Sequence, residues 1–111
     1  MVSKENAERF TWQEVCEGWH LARSEDLSVA QERMPPGTAE VRHYHSRVRQ
    51  FFYVLSGALT LEVGGASEDL QAGEGLEVAP RVPHQARNDS GAPCEFLVVS
   101  SGLSREDRHP A

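Results

Sequence analysis

From Trp19 onward, apolar and polar residues alternate in short runs, the period expected of β-strands half-buried in a sheet. The segments are Trp19 to Ala22, Leu27 to Met34, Ala39 to Tyr44, Phe51 to Leu55, Ala58 to Val63, Leu76 to Ala79, Gln85 to Asn88 and Glu95 to Ser100. Turn formers punctuate them: Ser24-Glu25-Asp26, Pro35-Pro36-Gly37, Ser56-Gly57, Gly64-Gly65, Ala72 to Gly75, Pro80 to Pro83 and Asp89 to Pro93. No longer stretch carries a helical period. Many short strands at regular spacing predict an all-β sandwich or barrel. Residues 1–18 read as a polar segment packed on that barrel, with Phe10 to Val15 either a helical turn or an edge strand. Residues 19–101 read as the barrel, and residues 102–111 as a polar tail expected to fray.

Phe51-Phe52-Tyr53-Val54-Leu55 is apolar at both phases of the alternation, and Phe96-Leu97-Val98-Val99 repeats this. A small barrel covers only the inner face of such strands, so the outer face calls for the N-terminal segment or a second subunit. A homodimer is the expectation.

Composition narrows the function classes. The chain has 111 residues, 11 Lys+Arg against 17 Asp+Glu and a net charge of -6, which argues against a nucleic-acid partner. The longest apolar run, Phe51 to Leu55, is far short of the ~20 residues that span a bilayer. With no apolar leader at the N-terminus and two cysteines, Cys16 and Cys94, far apart in sequence, a reduced cytoplasmic setting is expected. Asn88-Asp89-Ser90 fits a glycosylation sequon but reads as a turn in that setting.

The candidate chemistry begins with His43 and His45. Two apart on a strand, they project from one face, which is how a strand offers two nitrogens to one metal ion. Gly37 lies six residues before His43, Gln50 five after His45, and Gly57 seven after Gln50. Downstream come Gly73, Ala79, Arg81, His84 and Asn88. In these spacings the chain resembles the cupin family. That family's first motif places Gly, His-x-His, Glu and Gly as Gly37, His43, His45, Gln50 and Gly57 stand here, with Gln50 in place of the usual Glu. Its second motif runs Gly, Pro, Gly, His, Asn, where this chain has Gly73, Ala79, Arg81, His84 and Asn88. The match covers Gly37 to Asn88, about half of the chain.

The resemblance implies a double-stranded β-helix, the jelly-roll cupin barrel. It also implies one divalent transition metal ion held by His43, His45, Gln50 and His84, with iron or manganese favoured and nickel or zinc the other choices. The chemistry of the donors agrees. With Gln50 instead of Glu, the ligands bring no negative charge, so the ion would act as a stronger Lewis acid and be held less tightly. The simpler reading makes Gln50 a structural hydrogen-bonding residue beside a site that is three-histidine or empty.

Other residues weigh less. Phe52 and Val54 share the phase of Gln50, as Ala86 and Asn88 share that of His84, and all read first as barrel core. His20 is either an acid/base in the pocket or behind a metal ligand or, more simply, a partly exposed histidine on the first strand. Arg42, Arg47, Arg49, Arg81 and Arg87 flank the motifs as solvated charges that could steer an anion. Tyr44 and Tyr53 fall out of phase with the ligands, and no other acid/base partner is legible. The expected function is a metalloenzyme acting on a small oxygenated molecule, of dioxygenase or carbonyl/enol isomerase type. The His-x-His, four residues, Gln spacing is similar to that of cupins that ketonise unsaturated uronates. The alternative is a non-enzymatic cupin that binds or senses a small ligand.

Overall fold

The computed structural model describes all residues of the chain, the side chain of Arg105 excepted. Eleven strands form two antiparallel sheets. They are β1 (Glu8–Trp12), β2 (Cys16–Arg23), β3 (Ser28–Met34), β4 (His43–His45), β5 (Gln50–Ser56), β6 (Ala58–Val63), β7 (Ala66–Gln71), β8 (Gly75–Val78), β9 (His84–Arg87), β10 (Cys94–Ser100) and β11 (Arg108–Pro110). One sheet runs β1-β2-β3-β10-β5-β8, the other β11-β4-β9-β6-β7. The fold is the all-β jelly roll. No helix among the described residues is long and apolar enough to cross a membrane.

Alternation decides what lies between the sheets. On β5, Gln50, Phe52 and Val54 are buried, whereas Phe51, Tyr53 and Leu55 are 37–41% exposed. On β10, Cys94, Phe96, Val98 and Ser100 point inward. The interior holds an apolar core that includes Met34, Val54, Leu59, Leu61 and Phe96. The free thiols of Cys16 and Cys94 are buried in that core. Polar side chains gather elsewhere in the interior, where the motif residues lie.

Of the two readings of Phe10 to Val15, the edge strand is the one found: β1 pairs with β2 from Glu8↔His20 to Trp12↔Cys16. Other expectations need correction. The segment Ala39 to Tyr44 is not one strand: β4 spans only His43–His45, and Ala39 makes an isolated bridge to Arg87. β7 has no counterpart in the sequence reading, because Leu70 is its only buried residue. The tail has regular structure. A 3-10 turn at Ser104–Asp107 leads into β11, which pairs with β4.

The turn residues behave as read. Gly57 has φ +76, and a Cβ there would lie 2.4 Å from the carbonyl oxygen of Pro93. Arg81 sits at φ 71, a left-handed conformation that glycine adopts without strain, and its N–H donates to the carbonyl of His45 at 2.6 Å. The second motif's usual glycine therefore has a backbone reason, which Arg81 meets under strain. Asn88 is structural: its amide donates to the carbonyls of Met34 and Ala92, and its Oδ1 accepts the N–H and hydroxyl of Ser90.

Candidate metal centre

His43 and His84 are cross-strand partners on β4 and β9, so their side chains stand side by side on the inner face. His45, two residues along β4, shares that face. The ring centroids lie 4.4 Å apart for His43–His84, 4.9 Å for His43–His45 and 5.5 Å for His45–His84. One nitrogen from each ring falls within 4.8 Å of the other two. All three side chains are buried.

Hydrogen bonding fixes which nitrogen is available. His43 Nδ1 donates to the carbonyl of Val41 (2.8 Å), His84 Nδ1 to that of Val82 (2.9 Å), and His45 Nδ1 to that of Asp107 (3.1 Å). A carbonyl only accepts, so each Nδ1 carries the proton and each Nε2 presents a lone pair. Burial holds the three imidazoles neutral: it depresses His43 to about 3 and lowers His45 and His84. Neutral imidazoles with free Nε2 atoms are the form that binds transition metals.

Gln50, from the opposite sheet, lines the same cavity. Its Nε2 donates to the hydroxyl of Ser100, its neighbour across β5–β10, at 3.1 Å. That leaves Oε1 as a buried acceptor with no hydrogen-bond partner, and the same holds for Nε2 of His45 and Nε2 of His84. Buried acceptors without partners cost roughly 1–3 kcal/mol each. Three of them in one site, all lone-pair donors, fit a divalent cation.

The cavity has a volume of about 120 Å³. That is less than the roughly 150 Å³ of a cavity that accepts benzene, so only a molecule of a few heavy atoms has room beside the ligands. Phe10 and Trp12 of β1 and Phe52 of β5 supply apolar wall. Phe10 lies flat across Gly18, where a Cβ would meet its ring at 2.1 Å, and stacks on His20 at 4.5 Å. His20 thus lines the cavity from the second strand, not the first.

The alternation did not point to Glu40. Its side chain, 11% exposed, lines the cavity, and Oε2 accepts the N–H of Ala86 at 2.8 Å. Oε1 lies 3.8 Å from the Arg108 guanidinium and 3.9 Å from His43 Nδ1. Burial raises its carboxyl to about 7. Arg108 reaches the cavity from the C-terminal strand. The arginines flanking the motifs do not line it. Arg42 pairs with Glu62, Arg49 with Glu77, and Arg87 with Asp89. Tyr44 stacks on His109, and Tyr53 lies on the outer face.

Comparison with known proteins agrees with this architecture. The cupin domain profile matches residues 30–100. An uncharacterized protein of Methanocaldococcus jannaschii is 23% identical over 73 residues, 66% of this chain and 58% of that protein. Polyketide synthase CurC of Streptomyces cyaneus is 34% identical over 55 residues, 50% of this chain and 36% of that one. The aligned regions thus span little over half and about a third of these curated relatives. Among solved structures, KdgF from a Halomonas species superposes with a TM-score of 0.84 at 18% identity, over 94% of each chain.

Proposed function

We propose, from the premise that this chain belongs to the cupin domain family, that it is a metal-dependent isomerase acting on a small molecule with an enolisable carbonyl. The observation that carries this reading is a buried carboxylate, Glu40, sharing a cavity with an unpartnered amide oxygen and with two histidines, His43 and His45, of the three-histidine cluster. A ligand-sensing barrel needs no proton carrier beside its ligand; an isomerase does.

His43, His45, His84 and Gln50 would hold the metal. A divalent ion there, iron or manganese by preference and nickel or zinc otherwise, supplies Lewis acidity that its uncharged ligands leave undiminished. Glu40 does the proton work. Burial raises its carboxyl toward neutrality, which suits a group that takes up a proton and gives it back. Oε1 can take a proton from the carbon beside the substrate carbonyl and return it to the other end of the enol system. Ala86 N–H fixes the carboxylate through Oε2, and Phe10, Trp12 and Phe52 keep water from the reacting carbon.

The test is solvent-deuterium uptake. A panel of small hydroxyketones and keto acids is incubated in D2O with metal-loaded protein and followed by proton NMR. Loss of a C–H signal that stops on chelation supports the reading. Oxygen consumption without such exchange would replace it with the dioxygenase reading, and metal binding with neither would leave the sensing barrel.

The exposed outer face of β5 goes with a second proposal, a homodimer. From the N-terminal segment, Lys4 reaches this side of the sheet, where it pairs with Glu95 at 2.9 Å and sits over the Trp19 ring. It leaves Phe51, Tyr53 and Leu55 at 37–41% exposure. Sedimentation equilibrium should give twice the chain mass, and Leu55→Lys should shift the population to monomer. A wild-type monomer at all concentrations would rule the dimer out.

A further inference from the structure

Asp107 is neither a metal ligand nor part of the proton chemistry, yet it is buried, at 3% exposure, against the strand that bears His43 and His45. One carboxylate oxygen accepts the N–H groups of Arg47 (2.7 Å) and Val48 (3.0 Å), and the other accepts the Ser46 hydroxyl. These donors, the Ser46 hydroxyl foremost, hold the carboxyl far below the usual range. His109 Nε2 lies 3.6 Å from Oδ1. The residue's main-chain carbonyl accepts from His45 Nδ1 at 3.1 Å.

His45 differs from the other two histidines in this respect. His43 and His84 each donate Nδ1 to the carbonyl two residues earlier on their own segment, so each carries its orientation locally. His45 donates Nδ1 to a carbonyl 62 positions away. The strand itself leans the same way. β4 pairs with β9 at one register position, His43↔His84, but with β11 at three, Arg108↔His45, His109↔Tyr44 and Pro110↔His43.

We propose that Asp107 is a positioning residue of the metal centre. Its carboxylate anchors the C-terminal strand to the loop after His45, and the carbonyl so placed fixes the tautomer and ring plane of His45. The inference rests on reading the three histidines as metal ligands. A carboxylate satisfied by several donors is a stiff anchor, because charge-assisted bonds are shorter and stronger than neutral ones. Loss of an outer partner of a ligating histidine typically costs about 10–100-fold in metal affinity.

The experiment is a Co2+ titration of metal-free protein, read by visible absorption and by competition with a chromophoric chelator. Asp107→Asn and Asp107→Ala should bind Co2+ at least roughly tenfold more weakly and with an altered ligand-field spectrum, while far-UV circular dichroism stays that of wild type. Thr60→Ala, which removes a hydrogen bond to Asp69, should leave the Co2+ spectrum unchanged. Wild-type affinity and spectrum in both Asp107 variants would overturn the inference, as would an equal loss in Thr60→Ala. If the Asp107 variants do not fold, Ser46→Ala decides. A weaker, spectrally shifted complex supports the inference, and an unchanged one overturns it. Failure of wild type to bind Co2+ would instead bring down the metal reading, and this inference with it.

Discussion

Replacing Glu40 by Gln is expected to leave the metal in place and to slow deuterium uptake into substrate by about 10²–10⁴-fold, the usual contribution of a positioned general acid/base. The amide keeps the shape of the carboxylate, and its oxygen can still accept the N–H of Ala86. What it loses is the capacity to take up and release a proton. Because Glu40 donates to no metal in this arrangement, metal content should match wild type, which separates this variant from a ligand variant. A Glu40→Gln protein that exchanges protons at the wild-type rate would remove Glu40 from the chemistry.

The second large effect concerns the metal. His84→Ala should fall from near one equivalent of metal per chain to less than about a tenth, since losing a ligand costs more than the 10–100-fold lost with an outer partner. Wild type should also melt lower once stripped by a chelator. Metal at 100 times its dissociation constant stabilises the fold by about 2.7 kcal/mol. At roughly 4–8 °C per kcal/mol for a domain near this size, the midpoint should drop by roughly 10–20 °C. The metal-free protein should then be acid-labile. Burial moves His43 from its ordinary 6.5 to about 3, so between those values the unfolded chain binds the extra proton and stability falls as pH drops. At pH 5 that one group removes about 2 kcal/mol, and the lowered values of His45 and His84 act in the same direction. Glu40 opposes them. Its raised carboxyl adds stability at low pH that is lost as pH rises toward 7, one group against three. A melting point indifferent to chelator, with equal metal in wild type and His84→Ala, would refute the metal centre.

The metal-site candidates were legible because they sit where period-2 alternation holds and where motif spacing survives. His43 and His45 share a face of one strand, and His84 is their neighbour across the sheet. Glu40 was hidden by the same rule. Counted along a strand from Ala39 to Tyr44, it falls out of phase with His43; but the chain between Ala39 and Arg42 is not strand, and Glu40 N–H donates to Ala86 across to β9. Parity fails at that break. The C-terminal segment was hidden by its polarity. Asp107 looks solvated in sequence, yet it is buried because every donor it needs lies in the loop from Ser46 to Val48. β7 was missed for the opposite reason: an edge hairpin strand with one buried residue has almost no apolar pattern to read.

Phe10 resting on Gly18 separates two tasks within the barrel. The histidines belong to one sheet, while the aromatic wall on β1 belongs to the outermost strand of the other, joined only to β2. Substitutions there can reshape that wall of the cavity without moving a metal-ligand candidate. Selectivity for what enters and reactivity toward it can therefore drift independently, and a lineage could exchange one substrate for another by repainting a single peripheral hairpin.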